Sequence, residues 1–156
     1  MQWQEVLSDK SLQDLPYKIE LNEHGNIEMS PASLIHSLLQ GEIATLLRTQ
    51  LGGRAFTELA IQTSNGVRVP DVAWGSNQFV EQHIKEICAS SAPEICVEII
   101  SPSNSQEEMN KKIALFLESG ALEVWLVDEE GNTTFFNAEG QQQNTDFDIE
   151  IGKIEF

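Results

Sequence analysis

The sequence predicts an α/β fold in which a mixed β-sheet is flanked by α-helices, preceded by an N-terminal β-hairpin. Two short segments, "EICVEII" and "LEVWLVD", are apolar at nearly every position, as in strands that are covered on both faces. A helix with a clear start signal separates them, and hairpin-like segments lie before and after. This order of elements is typical of an α/β domain, and 156 residues suffice for one such domain, residues 1–156.

A hairpin and a long helix begin the chain. The segment "PYKIELNEHGNIEMSP" alternates around a turn at residues 22–26, where Gly25 can adopt a positive φ. Ser30 then suits an N-cap and Pro31 the first helical position. Apolar residues recur after them at helical spacing: Leu34, Ile35, Leu38, Leu39, Ile43, Leu46 and Leu47. We expect Gly52 and Gly53 to end this helix.

Two strands joined by a tight turn should follow. "RAFTELAIQT" and "VRVPDVAWG" flank Ser64-Asn65-Gly66, and Asn-Gly favours a short hairpin turn. Pro70 lacks an N–H for the strand ladder, so it is expected at an edge, an end or a bulge. Residues 75–92 read as a polar connection with a short helix around "QFVEQHIKEI".

The second half of the chain predicts a strand, a helix and further strands. "EICVEII" ends at Ser101-Pro102-Ser103-Asn104. Ser105 and Glu108 have the spacing of a capping box for a helix that runs to about Glu118, and Gly120 suits the position after its end. "LEVWLVD", "TTFFN" and a closing "FDIEIGKIEF" are the remaining predicted strands.

Composition restricts the possible functions. The chain has 25 acidic and 9 basic residues, a net charge of −16, so it repels phosphate backbones unless its few cations are gathered in one place. It lacks a signal peptide and any run near the about 18 apolar residues of a membrane span, so we expect a cytoplasmic protein. Cys88 and Cys96 have no ligand-like spacing, which argues against a zinc site or a disulfide.

Two carboxylates are candidates for a metal site. Asp71 ends or interrupts one predicted strand, and Glu98 lies within the next long one. If those strands are neighbours, both carboxylates could reach one cation, and Mg²⁺ is typically held by one or two carboxylates plus waters. A cation would also explain a charge in an apolar strand. The alternatives are a buried ion pair between Glu98 and Lys112, or emergence of Glu98 at a strand end.

Lys112 is a candidate catalytic residue. Helical spacing places Met109, Ile113 and Phe116 on the inward face of the second long helix, with Lys112 at its edge and Lys111 toward solvent. Lys112 could rest its aliphatic stem on the core and present its ammonium near Glu98. It could then orient or deprotonate a metal-bound water and stabilise charge that develops on a phosphate.

Three segments, "VPDVAW", "PEICVEIISPSNS" and "KKIALFLESGALEVWLVD", resemble the Uma-type family of restriction endonucleases, a branch of the PD-(D/E)XK nuclease superfamily. The likeness runs from the first hairpin to the final strands. It implies a restriction-endonuclease-like core, Mg²⁺ or Mn²⁺ as cofactor, nucleic acid (DNA favoured) as substrate, and Asp71 and Glu98 as metal ligands. The carbonyl of Ile99 would be a further ligand.

The resemblance also bears on the roles of further residues. The superfamily's E-x-K spacing would place a lysine where Ile100 stands, and family members share a lysine moved to the helix, which implies that Lys112 replaces it. The family often has a histidine at the position of His36, which could touch metal, water or phosphate, or simply bond a neighbour in the helix packing. Glu42 falls outside the inward stripe of that helix. Glu58 could line the cleft or face outward.

The sequence therefore supports three hypotheses. The first is a metal-dependent endonuclease that hydrolyses phosphodiester bonds of nucleic acid. The second is a catalytically inactive binding or assembly module of the same fold, which the charge of −16 favours. The third is an enzyme that acts on a small phosphorylated substrate. A homodimer is expected by analogy, because many relatives pair to cut two strands.

Overall fold

Ten β-strands form two sheets in the computed structural model, which describes residues 1–156. The four-stranded sheet has the order β2-β1-β5-β4 and contains β1 (Tyr17–Leu21), β2 (Ile27–Pro31), β4 (Ile61–Thr63) and β5 (Gly66–Arg68). The six-stranded sheet has the order β10-β9-β8-β7-β6-β3 and contains β3 (Arg54–Thr57), β6 (Val72–Gly75), β7 (Ile95–Ile99), β8 (Glu123–Val127), β9 (Thr133–Asn137) and β10 (Gly140–Gln142).

Helices surround these sheets. They are α1 (Trp3–Ser8), a 3₁₀ turn (Lys10–Leu12), α2 (Leu34–Leu51), α3 (Asn77–His83) and α4 (Gln106–Glu118). No helix has both the length and the apolar character needed to cross a membrane.

The six-stranded sheet is mixed, as predicted. β7 and β8 are parallel and are connected through α4, whereas all other neighbouring strands in this sheet are antiparallel. Every residue of β7 and of β8 is buried, because α2 covers one face and α4 the other. Burial on both faces explains why these two strands lack the alternation of a half-exposed strand.

The hairpin of β1 and β2 is antiparallel, which confirms that prediction. The helix start predicted at Ser30 and Pro31 is wrong, because both residues belong to β2. Instead Ser33 caps α2, and its hydroxyl accepts a hydrogen bond from the backbone N–H of His36. The helix ends at Leu51, and Gly52 follows it with φ of +73°.

The tight hairpin turn predicted at Ser64-Asn65-Gly66 is confirmed, because Thr63 pairs with Gly66 across it. The prediction of two continuous strands is wrong, because each of them is divided between the two sheets. β4 and β5 form a hairpin in the four-stranded sheet, while β3 and β6 pair in the six-stranded sheet. The first strand breaks at Glu58, whose φ of +59° is incompatible with a continuous strand. The second breaks around Pro70, which has no N–H to offer a ladder. Asp71 lies in this second break, directly before β6.

The C-terminal segment differs from the prediction of a closing strand. Residues 143–156 form no strand, and β10 ends at Gln142. The segment is held instead by individual contacts: Ile149 and Ile154 are buried in the core beneath α2, and the N–H of Ile154 bonds to the carbonyl of Gly131. Polar residues between these anchors remain exposed, and the segment lies along the core without forming strand pairs with either sheet.

Candidate active site

A cleft of about 540 Å³ opens where β1 and β2 approach the start of α2, the end of β7 and the side of α4. Only four of the 17 residues that line it are hydrophobic. The charged ones come from both sheets and from two helices: Lys18, His36, Glu58, Asp71, Glu98, Lys112 and Glu129. A polar cleft of this kind suits a polar or charged ligand.

Asp71 is buried at the floor of the cleft and is held by several partners. Its Oδ1 lies 3.0 Å from Lys18 Nζ, and its Oδ2 accepts a hydrogen bond of 2.8 Å from the N–H of Ile99. His36 Nε2 lies 3.3 Å from Oδ2, and the side chain of Gln40 donates to the Asp71 carbonyl. Burial alone raises the pKa of Asp71, but the hydrogen bond with His36 and the charge of Lys18 outweigh it and hold that pKa below its usual value.

Glu98 is also buried, but it is held less completely. Its Oε2 lies 3.5 Å from Lys18 Nζ and its Oε1 lies 3.8 Å from Lys112 Nζ. Oε1 has no hydrogen-bond partner. Burial, assisted by the charge of Asp71 and opposed by both lysines, raises the pKa of Glu98 to about 8. Such a site favours the approach of a further cation or a proton.

Two residues of β1 belong to the same arrangement, and our sequence reasoning missed them. Lys18 contacts both carboxylates, and these anions raise its pKa despite burial. Oε1 of Glu20 lies 3.9 Å from Nζ of Lys112, and Oε2 of Glu20 accepts a hydrogen bond from the N–H of Val69. We call Lys18, Glu20, Asp71, Glu98 and Lys112 the carboxylate–lysine cluster. The sequence did contain one signal for Lys18 and Glu20: they are two residues apart in β1, so their side chains lie on the same face of the strand.

The other candidate residues lie in different places. Ile99 lines the cleft, and its N–H binds Asp71. Glu58 lines the cleft from an exposed position in the turn after β3. Glu42 is exposed on α2 and is not among the lining residues, and Lys111 is exposed on α4. The structure therefore brings Asp71, Glu98, Lys112, Ile99 and His36 together, and it leaves Glu42 outside.

The oxygen atoms of the cleft suit a hard divalent cation. Asp71 and Glu98 approach one common point, and Oε1 of Glu98 is a buried carboxylate oxygen without a partner. Mg²⁺ and Mn²⁺ prefer such oxygen ligands. No group of three or more His, Cys, Asp or Glu side chains is arranged to hold a metal ion. Two carboxylates would therefore need water or substrate oxygens to complete the coordination of an ion.

Comparison with known proteins identifies the family and the fold. The model of the Uma2 family, described as "Putative restriction endonuclease", matches residues 9–149. The chain belongs to this family. The Uma2 match includes all five residues of the carboxylate–lysine cluster. Membership supports a nuclease function, and it confirms the family that the sequence indicated.

A solved structure is similar as well. It is described as "a putative nuclease belonging to DUF820 from Anabaena variabilis ATCC 29413". The two chains are 27% identical, with a TM-score of 0.65 over 83% of this chain and 76% of that chain. No curated protein matches this Uma2 chain. The solved relative confirms the predicted restriction-endonuclease-like α/β fold.

Proposed function

We propose that this protein is a metal-dependent endonuclease that hydrolyses phosphodiester bonds of nucleic acid, with DNA as the favoured substrate. The observation that carries the proposal is the approach of two buried carboxylates, Asp71 and Glu98, to one point in a polar cleft of a Uma2 chain. Two carboxylates buried side by side cost free energy, and a site that binds a cation provides a reason to retain them.

Asp71, Glu98 and the carbonyl of Ile99 would hold Mg²⁺ or Mn²⁺. The bound ion would polarise the scissile phosphate and lower the pKa of a coordinated water. His36 and the N–H of Ile99 fix the orientation of Asp71, so this ligand is preorganised before any ion arrives.

The position of Lys112 supports a role as the catalytic lysine. Its ammonium lies 3.8 Å from Glu98 and retains access to the cleft, since a fifth of the side chain is exposed. From there it can orient the attacking water and stabilise the negative charge that develops on the phosphate. Ser101, Ser103 and Asn104 line the same cleft and offer neutral hydrogen-bond donors to phosphate oxygens.

A cleavage assay with matched variants tests this proposal. Supercoiled plasmid and a linear duplex are incubated with wild type, Asp71→Asn, Glu98→Gln, Lys112→Met and Glu42→Gln, each with Mg²⁺, Mn²⁺ or EDTA. We expect metal-dependent cleavage by wild type, a loss of at least about 100-fold in the first three variants, and full activity in Glu42→Gln. Full activity of Asp71→Asn or Glu98→Gln would refute the assignment. Cleavage of bis(p-nitrophenyl) phosphate but of no nucleic acid would indicate a small phosphodiester substrate.

A second function has one observation in its favour. Lys18 already supplies a positive charge between the two carboxylates, so the site is partly neutralised without a metal. A nuclease-fold module that binds or assembles without catalysis would have no need of an ion. This alternative predicts that calorimetry detects no Mn²⁺ binding by wild type even with duplex DNA present. The cytoplasmic location and the homodimer expected from the sequence stay predictions.

A further inference from the structure

The ammonium of Lys18 lies at the point where the two carboxylates meet. Its Nζ is 3.0 Å from Oδ1 of Asp71 and 3.5 Å from Oε2 of Glu98, and the side chain is only 9% exposed. An Mg²⁺ ion binds carboxylate oxygens at about 2.1 Å, so an ion held by these two oxygens would need the space that the ammonium fills. Like charges at such a separation also repel each other strongly in a buried site.

We infer that Lys18 is the resident cation of the active site and that a divalent metal binds by displacing its ammonium into the cleft. The inference rests on the proposed metal-dependent function. In the absence of metal, Lys18 holds the two carboxylates in place and offsets their mutual repulsion. Lys18 also lines the cleft, so its flexible side chain has polar space to move into.

Displacement gives Lys18 a second role. Once free of the carboxylates, the ammonium lies in the cleft where a substrate phosphate would bind, and a phosphate is a suitable new partner for it. Metal binding and phosphate binding would then assist each other, because each ligand removes an obstacle to the other. Lys18 is thus a positioning residue for the metal and a contact for the substrate.

Lys112 provides the matched comparison. It carries the same charge and belongs to the same cluster, but it contacts the other oxygen of Glu98, at 3.8 Å, and Glu20 at 3.9 Å. It has no contact with Asp71. Removing Lys112 therefore changes the charge of the site without vacating the point between Asp71 and Glu98.

Calorimetric titration of Mn²⁺ into wild type, Lys18→Met and Lys112→Met tests the inference. Methionine keeps most of the side-chain volume and removes the charge. We expect Lys18→Met to bind Mn²⁺ at least about tenfold more tightly than wild type, and Lys112→Met to gain clearly less. Equal gains in both variants would mean a general charge effect and would overturn the inference, while the metal site itself would stand. Absence of binding in all three proteins, both alone and with duplex DNA present, would overturn both proposals.

A second measurement uses the wild-type protein alone, so it does not depend on the folding of a variant. The amines are labelled briefly with an acylating reagent, with and without saturating Mg²⁺, and each lysine is quantified by mass spectrometry. Lys10 and Lys85 are exposed and serve as internal references. Labelling of Lys18 should rise several-fold with Mg²⁺ relative to these references. Unchanged labelling at a Mg²⁺ concentration that saturates the protein would refute displacement.

Discussion

Asp71→Asn and Glu98→Gln each remove one negative charge from the same cluster, yet the structure predicts opposite effects on the free energy of unfolding of the metal-free protein. Asp71 accepts hydrogen bonds and ion-pair contacts from Lys18, His36 and the N–H of Ile99. Glu98 has one carboxylate oxygen without any hydrogen bond. The first carboxylate is therefore stabilised by its surroundings, and the second is tolerated at a cost.

The magnitudes follow from these contacts. Hydrogen bonds to a charged group contribute about 1.5–3 kcal/mol each, and asparagine preserves only part of the set around Asp71, so the variant should lose about 2–4 kcal/mol. A domain of this size loses about 2–4 °C in Tm per kcal/mol, which gives a decrease of roughly 5–15 °C. For Glu98→Gln, the cluster changes from three carboxylates and two lysines to an equal number of each. We expect a gain of about 1 kcal/mol at pH 8, where wild-type Glu98 is partly ionised.

Urea unfolding at pH 8 in EDTA, followed by tryptophan fluorescence, measures both changes. Urea is uncharged and does not screen the ion pairs as guanidinium would. Trp74 and Trp125 are buried, so their emission reports loss of the core. If Glu98→Gln were destabilised as much as Asp71→Asn, Glu98 would be a structural ion-pair partner, and the argument that it is retained for a cation would fail.

Further predictions concern the pH and the scaffold. The pKa of Glu98 is raised from 4.5 to about 8, so between these pH values the folded state keeps a proton that the unfolded chain releases. The stability of the metal-free wild type, relative to Glu98→Gln, should therefore fall as the pH rises through that interval. The slope is at most about 1.4 kcal/mol per pH unit. Urea midpoints at pH 5, 6.5 and 8 check this, and a difference independent of pH would contradict it. Gly41→Ala should raise stability by about 0.5–1 kcal/mol, since Gly41 lies within α2 and a Cβ there meets nothing within 4 Å. Gly66→Ala should instead unfold or severely destabilise the protein, because Gly66 has φ of +85° and its Cβ would lie 2.1 Å from the carbonyl oxygen of Leu21; thermal melts distinguish the two glycines. Phe116→Ala should cost about 3–5 kcal/mol in the same melts, since this side chain is fully buried against β8, and a loss below 1 kcal/mol would mean that the core beneath α4 collapses to fill the space.

Elements with a strong local signal were predictable from the sequence. β7, α4 and β8 lie where apolar runs and a capping serine placed them, and Ser105 indeed accepts the N–H of Glu108. In a full capping box the Glu108 carboxylate would also accept a hydrogen bond from the N–H of Ser105. Here it accepts one from the side-chain amide of Asn104 instead. Asp71 and Glu98 lie near each other because β6 and β7 are neighbours, and that pairing could be guessed from their order in the chain.

The rest required tertiary information. Nothing in "YKIEL" shows which face of the hairpin will pack over the break before β6, so the burial of Lys18 and Glu20 could not be read from a pattern of alternating polar residues. The division of two strands between two sheets depends on the positive φ of Glu58 and on Pro70. Pro70 indicated a break in the second strand, whereas glutamate rarely takes a positive φ, so the sequence does not indicate the break at Glu58.

The origin of the cluster in distant parts of the chain also bears on how the protein folds. Lys18 and Asp71 are separated by 53 residues, and Glu20 is joined to the N–H of Val69 over 49 residues. Contacts of such long range cost chain entropy before they yield any stabilisation, so we expect them to form after the local contacts, when the hairpin docks. Lys112 leaves the ribosome after all the other members. A nascent or partly folded chain therefore has its carboxylates dispersed, and any capacity to cut nucleic acid would arise only with the final docking step of folding.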